Sequence, residues 1–479
     1  MQFSQPRLLI FSDPLFLLFF LIVFAIHWLL RGYGVRKSWL LICSYIFYAS
    51  WDYRFLSLIL ISTAVDYVAG LAIWKSESTA GRRRWLILSL ATNLGILGFF
   101  KYFHFFVDSA AVMLGWLGLP ALPSTLEIIL PVGISFYTFQ TMSYTIDIFL
   151  GKLKPRRNLL DFALFVAFFP QLIAGPIVRA REFLPQVDKP RRFNTIRWRV
   201  FLTLFVIGYV KKSCISDRIA GFIDPFFATD PVLSADPASF ASSFIWAIML
   251  LYAVQIYCDF SAYSDMAIAC AGMLGFQLPQ NFNFPYLAGN ITEFWHRWHI
   301  SLSTWLRDYL YIPLGGSRGP TWFVWRNLML TMLLGGLWHG ASWKFIVWGG
   351  LHGAALVVHR IWKSSVGEKK PMRFVGPVLT LSWVCLLWIF FRAPDWQTAM
   401  VFCNKFLFLN PSGTFIAPPW VWGSLVALAA VHWIASRWSP LDYVYRLPEW
   451  LFAILLGVVY ALAISLAAVN TEPFIYFQF

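Results

Sequence analysis

Charged residues are scarce in this sequence of 479 residues. They make up 13% of it, whereas a soluble domain carries roughly 25%. Hydrophobic residues make up 59% of the chain and form long runs, for example Phe55–Trp74, Trp85–Phe100 and Phe374–Phe391. One spanning helix needs about 20 such residues. The composition therefore excludes a soluble globular protein and predicts an all-α, multi-pass membrane protein with about 11 spanning helices and a few re-entrant or interfacial ones.

Acidic residues are also few, with 23 Asp and Glu against 38 Lys and Arg. In a soluble protein the formal charge of +15 would indicate nucleic acid, but here the basic residues lie in short loops between apolar runs. Membrane proteins keep such loops in the cytoplasm, so no nucleic-acid partner is predicted. Both termini are predicted to lie outside the cytoplasm and Lys363–Arg373 inside it. The basic segment Arg179–Arg199 is predicted to lie on anionic lipid headgroups, or alternatively to dock an acidic donor or carrier protein.

Several signatures of well-known chemistry are missing. The six cysteines include no C-x-x-C pair, so neither a zinc ribbon nor a redox motif is indicated. No nucleophile elbow and no ATP-binding loop are recognised, so covalent serine catalysis and ATP-driven chemistry are not expected. Glu293, His296 and His299 are spaced by three and are predicted to share a helical face, but a di-metal site would need a second Glu-x-x-His. No metal site is predicted.

Two stretches with prolines, glycines and polar residues interrupt the apolar runs. Leu126–Leu150 contains Pro131 and Gly133, and Leu159–Ile177 contains two further prolines. Non-helical backbone at membrane depth survives only inside protein or beside a water-filled cavity. These stretches therefore fit re-entrant segments that line a cavity, and ordinary kinked helices remain the alternative.

No repeat or linker divides the chain, which is predicted to form a single domain over residues 1–479. Within it we predict N-terminal helices at 1–125, a catalytic core at 126–365 and C-terminal helices at 366–479. In the core, Asp259 and Asp265 lie within the apolar run Phe240–Phe276 and are predicted to face protein or water instead of lipid.

Histidine is rare, with 8 residues in the chain, yet three of them lie between Asn290 and His339. Glycines at 335, 336 and 340 and tryptophans at 338 and 343 surround His339 in sequence, so backbone or substrate is expected to approach a ring held in an apolar wall. Desolvation keeps such an imidazole neutral and able to take a proton from a hydroxyl group. The spacing fits a general base at His339, and it also fits a histidine that bonds a neighbouring helix.

Several long stretches, in the same order along the chain, resemble motifs of the membrane-bound O-acyltransferases. The sequence is most similar to the bacterial branch that contains the membrane subunit of alginate O-acetylation, and it also resembles peptidoglycan O-acetyltransferases and teichoic acid D-alanyltransferases. The stretches that carry the resemblance are Phe11–Phe16, Pro131–Phe136, Phe169–Pro176, Asp259–Asp265, Trp298–Gly316 and Gly336–Trp343.

The resemblance implies a ring of tilted helices around a central tunnel that joins the two sides of the membrane. It also implies that His339 is the catalytic histidine and that His299 is the second histidine of the site. His296 receives no catalytic role, and no bound cofactor is expected. The residues expected to contact substrate are Asp259, Tyr263, Asp265, Ser303 and Trp338.

The activity that the resemblance implies is O-acyl transfer, most simply O-acetyl transfer, in the bacterial inner membrane. The donor would be a cytoplasmic thioester, either acetyl-coenzyme A or an acylated carrier. The acceptor would be an exported, alginate-like polysaccharide or a hydroxyl group of an SGNH-type partner protein outside the cytoplasm. Two alternatives stay open: D-alanyl transfer to teichoic acid, and a transporter or flippase that performs no chemistry.

Overall fold

The helical character predicted from composition is confirmed. A computed structural model describes residues 9–120, 126–173, 175–189, 191–227, 239–367, 375–409, 413–468 and 474. Throughout these ranges the backbone is helical or irregular, and the β-type pairing is limited to an isolated bridge between Phe240 and Phe415.

The helices fall into two compact units. The first consists of Met1–Phe201 with Ala267–Pro279, and the second of Leu202–Met266 with Gln280–Phe479. The boundaries of these units differ from the predicted divisions at 125/126 and 365/366, and the three-part division of a single domain stays a prediction.

Nine helices are described within the first unit. They are α1 (Pro14–Leu29), α2 (Tyr33–Asp52), α3 (Leu56–Lys75), α4 (Thr79–Leu97), α5 (Phe103–Trp116), α6 (Ile134–Phe149), α7 (Leu159–Ala167), α8 (Phe169–Leu172) and α9 (Ala180–Val187).

Two further helices contribute residues to both units, namely α10 (Trp198–Tyr209) and α12 (Ser242–Met273). The remaining described helices belong to the second unit. They are α11 (Asp217–Ile223), α13 (Ile291–Arg297), α14 (Ile300–Leu306), α15 (Thr321–His339), α16 (Trp343–Val366), α17 (Val375–Arg392), α18 (Trp396–Phe408), α19 (Pro419–Arg437) and α20 (Glu449–Leu466).

Seven stretches of the described helices are long and apolar enough to cross a membrane. Two of them, Tyr33–Lys75 and Thr79–Trp116, contain 43 and 38 residues, so each has the length of about two crossings. The chain is thus a multi-pass membrane protein, while the count of about 11 spans stays a prediction. Both termini and residues 368–374 lie outside the described residues, so the predicted sidedness is not tested.

The helices break at both stretches where prolines and glycines interrupt the apolar runs. α6 begins only at Ile134, after Gly133 turns the backbone with a φ of 75°, and a Cβ at that glycine would lie 2.7 Å from the carbonyl oxygen of Leu172. α7 ends at Ala167, and the next helix is a four-residue turn. These stretches are therefore not continuous kinked helices. The irregular backbone at Gly133 leads into α6, in which 14 of 16 residues are buried by protein. Irregular backbone at membrane depth requires such protein surroundings.

Close packing of α15 against α16 positions the end of α15. A Cβ added to Gly336 would lie 2.2 Å from the carbonyl oxygen of Phe345, and a Cβ added to Gly349 would lie 2.2 Å from that of Met332. Small residues allow this approach of two helix backbones, as in many membrane helix pairs. The contact brings the last turn of α15, which ends at His339, against the first turns of α16.

Candidate active site

His339 is the last residue of α15 and is 4% exposed. Its imidazole lies in a cage of aromatic rings. The ring centroids of Trp348 and Phe391 lie 5.0 and 5.6 Å from it, and that of its neighbour Trp338 lies 5.1 Å away, all edge to face. The expected apolar wall around His339 is therefore present, but α16 and α17 supply two of its three sides.

The glycines around His339 serve protein packing, and at Gly336 the approaching group is backbone, one of the two alternatives expected there. Gly336 admits the backbone of α16, and a Cβ at Gly340 would lie 2.1 Å from the ring of Phe345. The space left by these glycines is thus filled by the protein itself and not by substrate. Trp343, which was expected to wall the imidazole, is 60% exposed at the start of α16, and Trp348 lies against the imidazole ring.

His299 lies between α13 and α14 in a left-handed conformation, with φ 42° and ψ 56°. The prediction that Glu293, His296 and His299 share a helical face is wrong, because α13 ends at Arg297. Glu293 instead binds Arg297 at 2.6 Å, and His296 is exposed. The left-handed residue turns the chain so that the His299 ring is fully buried.

A single amide, that of Asn281, fixes the orientation of the His299 ring. The Asn281 Oδ1 atom accepts hydrogen bonds from the backbone nitrogen and the hydroxyl of Ser301, at 3.2 and 2.9 Å. His299 Nδ1 lies 3.1 Å from the same oxygen, so Nδ1 must carry a proton and donate it. The Asn281 Nδ2 group in turn donates to Ser264 Oγ at 3.1 Å. Nε2 of His299 is therefore the nitrogen that can accept a proton.

The surroundings of His299 keep the ring neutral. It lies outside the seven candidate spans, and burial lowers its pKa from 6.5 to about 3. The ring of Phe260 on α12 packs edge to face against it at 4.6 Å. A neutral ring with Nδ1 protonated is suited to accept a hydrogen bond at Nε2, and not to serve as a permanent cation.

Trp338 contacts both histidines of the predicted site. Its ring centroid lies 5.9 Å from that of His299 and 5.1 Å from that of His339. The indole is 3% exposed. The structure therefore brings the two histidines predicted from sequence into contact with the same buried tryptophan.

A third imidazole, that of His352 on α16, extends this row of rings. Its centroid lies 4.7 Å from Trp348, which itself contacts His339, and 5.0 Å from Trp295. His352 is fully buried, and neither of its ring nitrogens has a hydrogen-bond partner in the described part of the chain. Sequence reasoning gave this residue no role.

The predicted substrate residue Ser303 has a local hydrogen bond. Its hydroxyl donates to the carbonyl oxygen of Trp298 at 3.1 Å, and its backbone nitrogen donates to that of His299 at 2.9 Å. These bonds close the first turn of α14 behind His299. Ser303 thus supports the turn that presents His299, and a contact with substrate stays a prediction.

The carboxylates of α12 are paired with two lysines that sequence reasoning missed. Lys212 lies 2.7 Å from Asp259 and 2.8 Å from Asp217, and all three side chains are nearly inaccessible. Lys211 lies 2.7 Å from Asp265, which is partly exposed. The prediction that Asp259 and Asp265 face protein or water is confirmed.

The lysines lie in a wide, π-helical turn at Val210–Ser216 that joins α10 to α11. A lysine pair directly after an apolar helix was the signal that could have revealed this cluster, because charges within a membrane chain need a partner. Tyr263, a further predicted substrate residue, is 3% exposed, with Phe474 packed on its ring at 4.4 Å and the Lys212 ammonium 5.8 Å from its centroid.

Two alternative chemistries find no support around these residues. Within the described ranges no group of three His, Cys, Asp or Glu side chains could hold a metal ion. Gly315–Gly319 has the letters of a G-x-S-x-G motif, but it forms a turn between helices, with Ser317 exposed and bonded to Tyr311. A nucleophile elbow requires a strand before the serine.

Comparisons with known proteins identify the family. The model of the membrane-bound O-acyltransferase family matches residues 123–393, more than half of the chain. A probable alginate O-acetylase of Pseudomonas aeruginosa is 44% identical over 396 residues, which cover 82% of this chain and 73% of the relative. This chain belongs to the membrane-bound O-acyltransferase family. The resemblance drawn from the motifs is confirmed, and the protein is a membrane acyltransferase.

Other relatives show how the family varies. A peptidoglycan O-acetyltransferase of Helicobacter pylori is 40% identical over 439 residues, covering 84% of this chain and 80% of the relative. A teichoic acid D-alanyltransferase of Streptococcus thermophilus is 27% identical over 285 residues, covering 57% of this chain and 67% of the relative. His299 and His339 both fall within the range matched by the family model, and their individual roles stay predictions.

Proposed function

We propose that the protein is an O-acetyltransferase that moves acetyl groups from a cytoplasmic thioester to a hydroxyl group on the other side of the membrane. The acceptor is an alginate-like exported polysaccharide, or a hydroxyl of an extracytoplasmic SGNH-type partner that completes the transfer. The observation that carries the proposal is the buried pair His299 and His339, both in contact with Trp338, in a chain of the acyltransferase family.

The relatives support acetyl over D-alanyl transfer. Those named for O-acetylation match more than four fifths of this chain at 40–44% identity. The relative named for D-alanyl transfer matches little more than half of it, at 27% identity. The relatives that are named for alginate O-acetylation also support a polysaccharide as the acceptor.

His339 acts as the general base in this proposal. It takes the proton of the acceptor hydroxyl while the hydroxyl oxygen attacks the carbonyl carbon of the thioester. The new C–O ester bond forms and the C–S bond breaks. The leaving thiolate takes the proton from His339 and departs as a thiol. No covalent intermediate on the enzyme is needed. The aromatic cage favours this role, because a desolvated ring remains neutral until it receives the proton.

His299 orients the acceptor or completes the path of the proton. With Nδ1 bound to Asn281, its Nε2 is held in one direction as an acceptor. The Asn281 amide is itself held by the hydroxyl of Ser301, which donates to Oδ1, and by the hydroxyl oxygen of Ser264, which accepts from Nδ2. Such preorganisation lowers the barrier for a step that depends on the direction of one hydrogen bond.

The donor and acceptor are proposed to enter from opposite sides of the membrane. Burying the unpaired charges of a coenzyme costs several kcal/mol or more, so the coenzyme stays at the cytoplasmic mouth and only its acyl arm enters. Thioester donors are made in the cytoplasm, and the relatives are bacterial proteins. These considerations support the bacterial inner membrane as the location.

The test is complementation of a deletion strain, with the O-acetyl content of the exported polysaccharide as the readout. His339→Ala is expected to lower acetylation by about 10²–10⁴-fold, the usual contribution of a general base, at normal membrane levels of protein. His296→Ala is the matched control, because it removes an exposed imidazole from the same motif, and it should leave acetylation near wild type. Acetylation within twofold of wild type in the His339 variant would contradict the assignment.

A further inference from the structure

Two polar side chains of α12 are buried without a role in the mechanism proposed above. Tyr252 is fully buried and Gln255 is 5% exposed. The hydroxyl oxygen of Tyr252 and the Oε1 atom of Gln255 have no hydrogen-bond partner in the described part of the chain. Buried tyrosine hydroxyls and buried side-chain amides nearly always have such a partner. These two atoms are therefore candidates for contact with a ligand.

Together the two atoms are complementary to a single hydroxyl group. Tyr252 and Gln255 are three positions apart in α12, so they lie one turn apart on the same face of the helix. The tyrosine hydroxyl can donate a hydrogen bond, whereas Oε1 of the glutamine can only accept one. A hydroxyl group between them would accept from the tyrosine and donate to the glutamine. An ionised carboxylate or phosphate has no proton to donate to Oε1, so an alcohol fits this pair better than an anion does.

On one side, Tyr252 adjoins the aromatic cage of His339. The ring centroid of Tyr252 lies 6.4 Å from that of Trp388. Trp388 in turn lies 5.1 Å from Phe391 and 5.9 Å from Trp348, centroid to centroid. Phe391 and Trp348 both contact the His339 imidazole. A ligand group bound at Tyr252 is therefore two aromatic rings away from the proposed general base.

On the other side, Tyr252 adjoins an ion pair that solvent can reach. The ring centroid of Tyr252 lies 6.4 Å from that of Phe227, and the guanidinium of Arg392 lies 4.7 Å from the Phe227 centroid. Arg392 binds Asp224 at 2.7 Å, and these two side chains are 15% and 26% exposed. Tyr252 thus lies between a partly exposed ion pair and the cage around His339.

This ion pair lies on the side from which the acceptor is proposed to enter. Lys344, in the first turn of α16, donates to the carbonyl oxygen of Pro394 at 2.8 Å, so the start of α16 and the end of α17 lie together. Lys363, near the other end of α16, is predicted to lie in the cytoplasm. Arg392, the last residue of α17, is therefore on the outer side in the predicted orientation.

We infer, on the basis of the proposed function, that Tyr252 and Gln255 bind a second hydroxyl group of the acceptor while the reacting hydroxyl lies at His339. An acceptor that occupies both positions must carry more than one hydroxyl group. A polysaccharide meets that requirement, whereas a single serine of a partner protein does not. The pair is thus a specificity determinant for a polyhydroxylated acceptor.

Steady-state kinetics of the purified full-length protein in detergent test this role, with acetyl-coenzyme A as donor and a short oligomannuronate as acceptor. Tyr252→Phe removes only the hydroxyl, and Gln255→Met removes the amide at a similar side-chain length. Each variant should raise KM for the oligomannuronate by about tenfold, which is the loss of one hydrogen bond. The value of kcat and KM for acetyl-coenzyme A should stay within about twofold of wild type, because a hydroxyl held equally in the ground and transition states affects KM alone.

Tyr286→Phe is the matched control, because it removes a tyrosine hydroxyl that does have a protein partner. The Tyr286 hydroxyl donates to the carbonyl oxygen of Ala253 on α12 at 2.6 Å. This variant should lower the thermal unfolding midpoint and change KM for the oligomannuronate by less than about twofold. Tyr252→Phe should leave the midpoint unchanged or raise it, because it breaks no hydrogen bond within the described chain.

An unchanged KM for the oligomannuronate in both the Tyr252 and the Gln255 variant would overturn the inference. A lower unfolding midpoint in these variants without a change in KM would also overturn it, because the side chains would then be structural. If one of the two variants does not fold, the other decides. Failure of the proposed function gives a different result: the wild-type protein would transfer no acetyl group to the oligomannuronate, and the role of the pair would fall with it.

Discussion

The direction of a proton at His299 is decided by a neighbour that has no acid–base chemistry of its own. Because Asn281 Oδ1 already accepts from a backbone N–H and a hydroxyl, it can only be an oxygen, and the imidazole must donate to it. Removing that amide would free the ring to adopt the other tautomer. It would also leave the buried N–H of Ser301 without a partner, at a cost of about 1–3 kcal/mol.

A pair of substitutions of similar size at Asn281 separates the two effects. Asn281→Asp keeps an acceptor for His299 and Ser301, and the hydroxyl of Ser264 can rotate to donate to the new carboxylate. Asn281→Leu removes every one of these bonds. Acetyl transfer should fall by at least about tenfold in the leucine variant and should be retained largely in the aspartate variant. Equal activity of the two, measured per folded protein, would show that the tautomer of His299 is unimportant.

The two histidines could be chosen from sequence, while Asn281 could not. His299 and His339 lie in recognisable motifs, and their glycine and tryptophan neighbours drew attention to them. Asn281 is 18 positions before His299, and only the left-handed turn at His299 brings the two together. The predicted helical face through Glu293 and His299 failed for the same reason, since a single left-handed residue cancels a helical periodicity.

At the scale of helices, buried ion pairs and a close contact between two helix backbones stabilise the second unit. The turn Val210–Ser216 presents Lys212 to α12, where Asp259 precedes Phe260, the residue that packs on His299. The ion cluster therefore fixes the part of α12 that supports the site. The sequence was sufficient to predict that the carboxylates within the apolar run face protein or water. Their lysine partners could not be predicted, because the π-helical turn that places them does not follow from regular helical spacing.

Replacing the two lysines one at a time tests the importance of the buried cluster. Lys212→Met removes the ammonium group that binds the buried carboxylates of Asp217 and Asp259, and breaking such a buried pair costs about 3–5 kcal/mol. Lys211→Met breaks a partly exposed pair and should cost less. The thermal unfolding midpoint in detergent should fall much further for the Lys212 variant. A larger fall for the Lys211 variant would contradict the ranking.

Two adjacent glycines of α16 offer a test of the helix contact behind His339. A Cβ at Gly349 would lie 2.2 Å from a backbone oxygen of α15, whereas a Cβ at Gly350 would meet only the flexible end of Leu333 at 3.2 Å. Gly349→Ala should destabilise the protein by about 1–3 kcal/mol through overpacking. Gly350→Ala should have little effect on the unfolding midpoint. Similar midpoints for the two variants would show that α15 and α16 can separate without cost.

For the whole molecule, composition was sufficient to predict an all-helical membrane protein, because nothing else explains so little charge in so long a chain. The number of crossings was harder to predict. α2 and α3, like α4 and α5, follow each other so closely that length and hydropathy merge each pair. The predicted orientation of the chain in the membrane depends on the distribution of Lys and Arg. The loop that contributes most to that prediction, Lys363–Arg373, extends beyond the described residues.

The central claim is that His339 catalyses acetyl transfer from a cytoplasmic donor to an acceptor across the membrane. Inside-out membrane vesicles that contain the protein and enclose the acceptor, supplied with labelled acetyl-coenzyme A outside, test it most directly. The account predicts label on the enclosed acceptor with the wild-type protein and its loss with His339→Ala, while His296→Ala behaves as wild type. Equal labelling by the wild-type and His339→Ala proteins, or label only on acceptor in the donor's compartment, would contradict it.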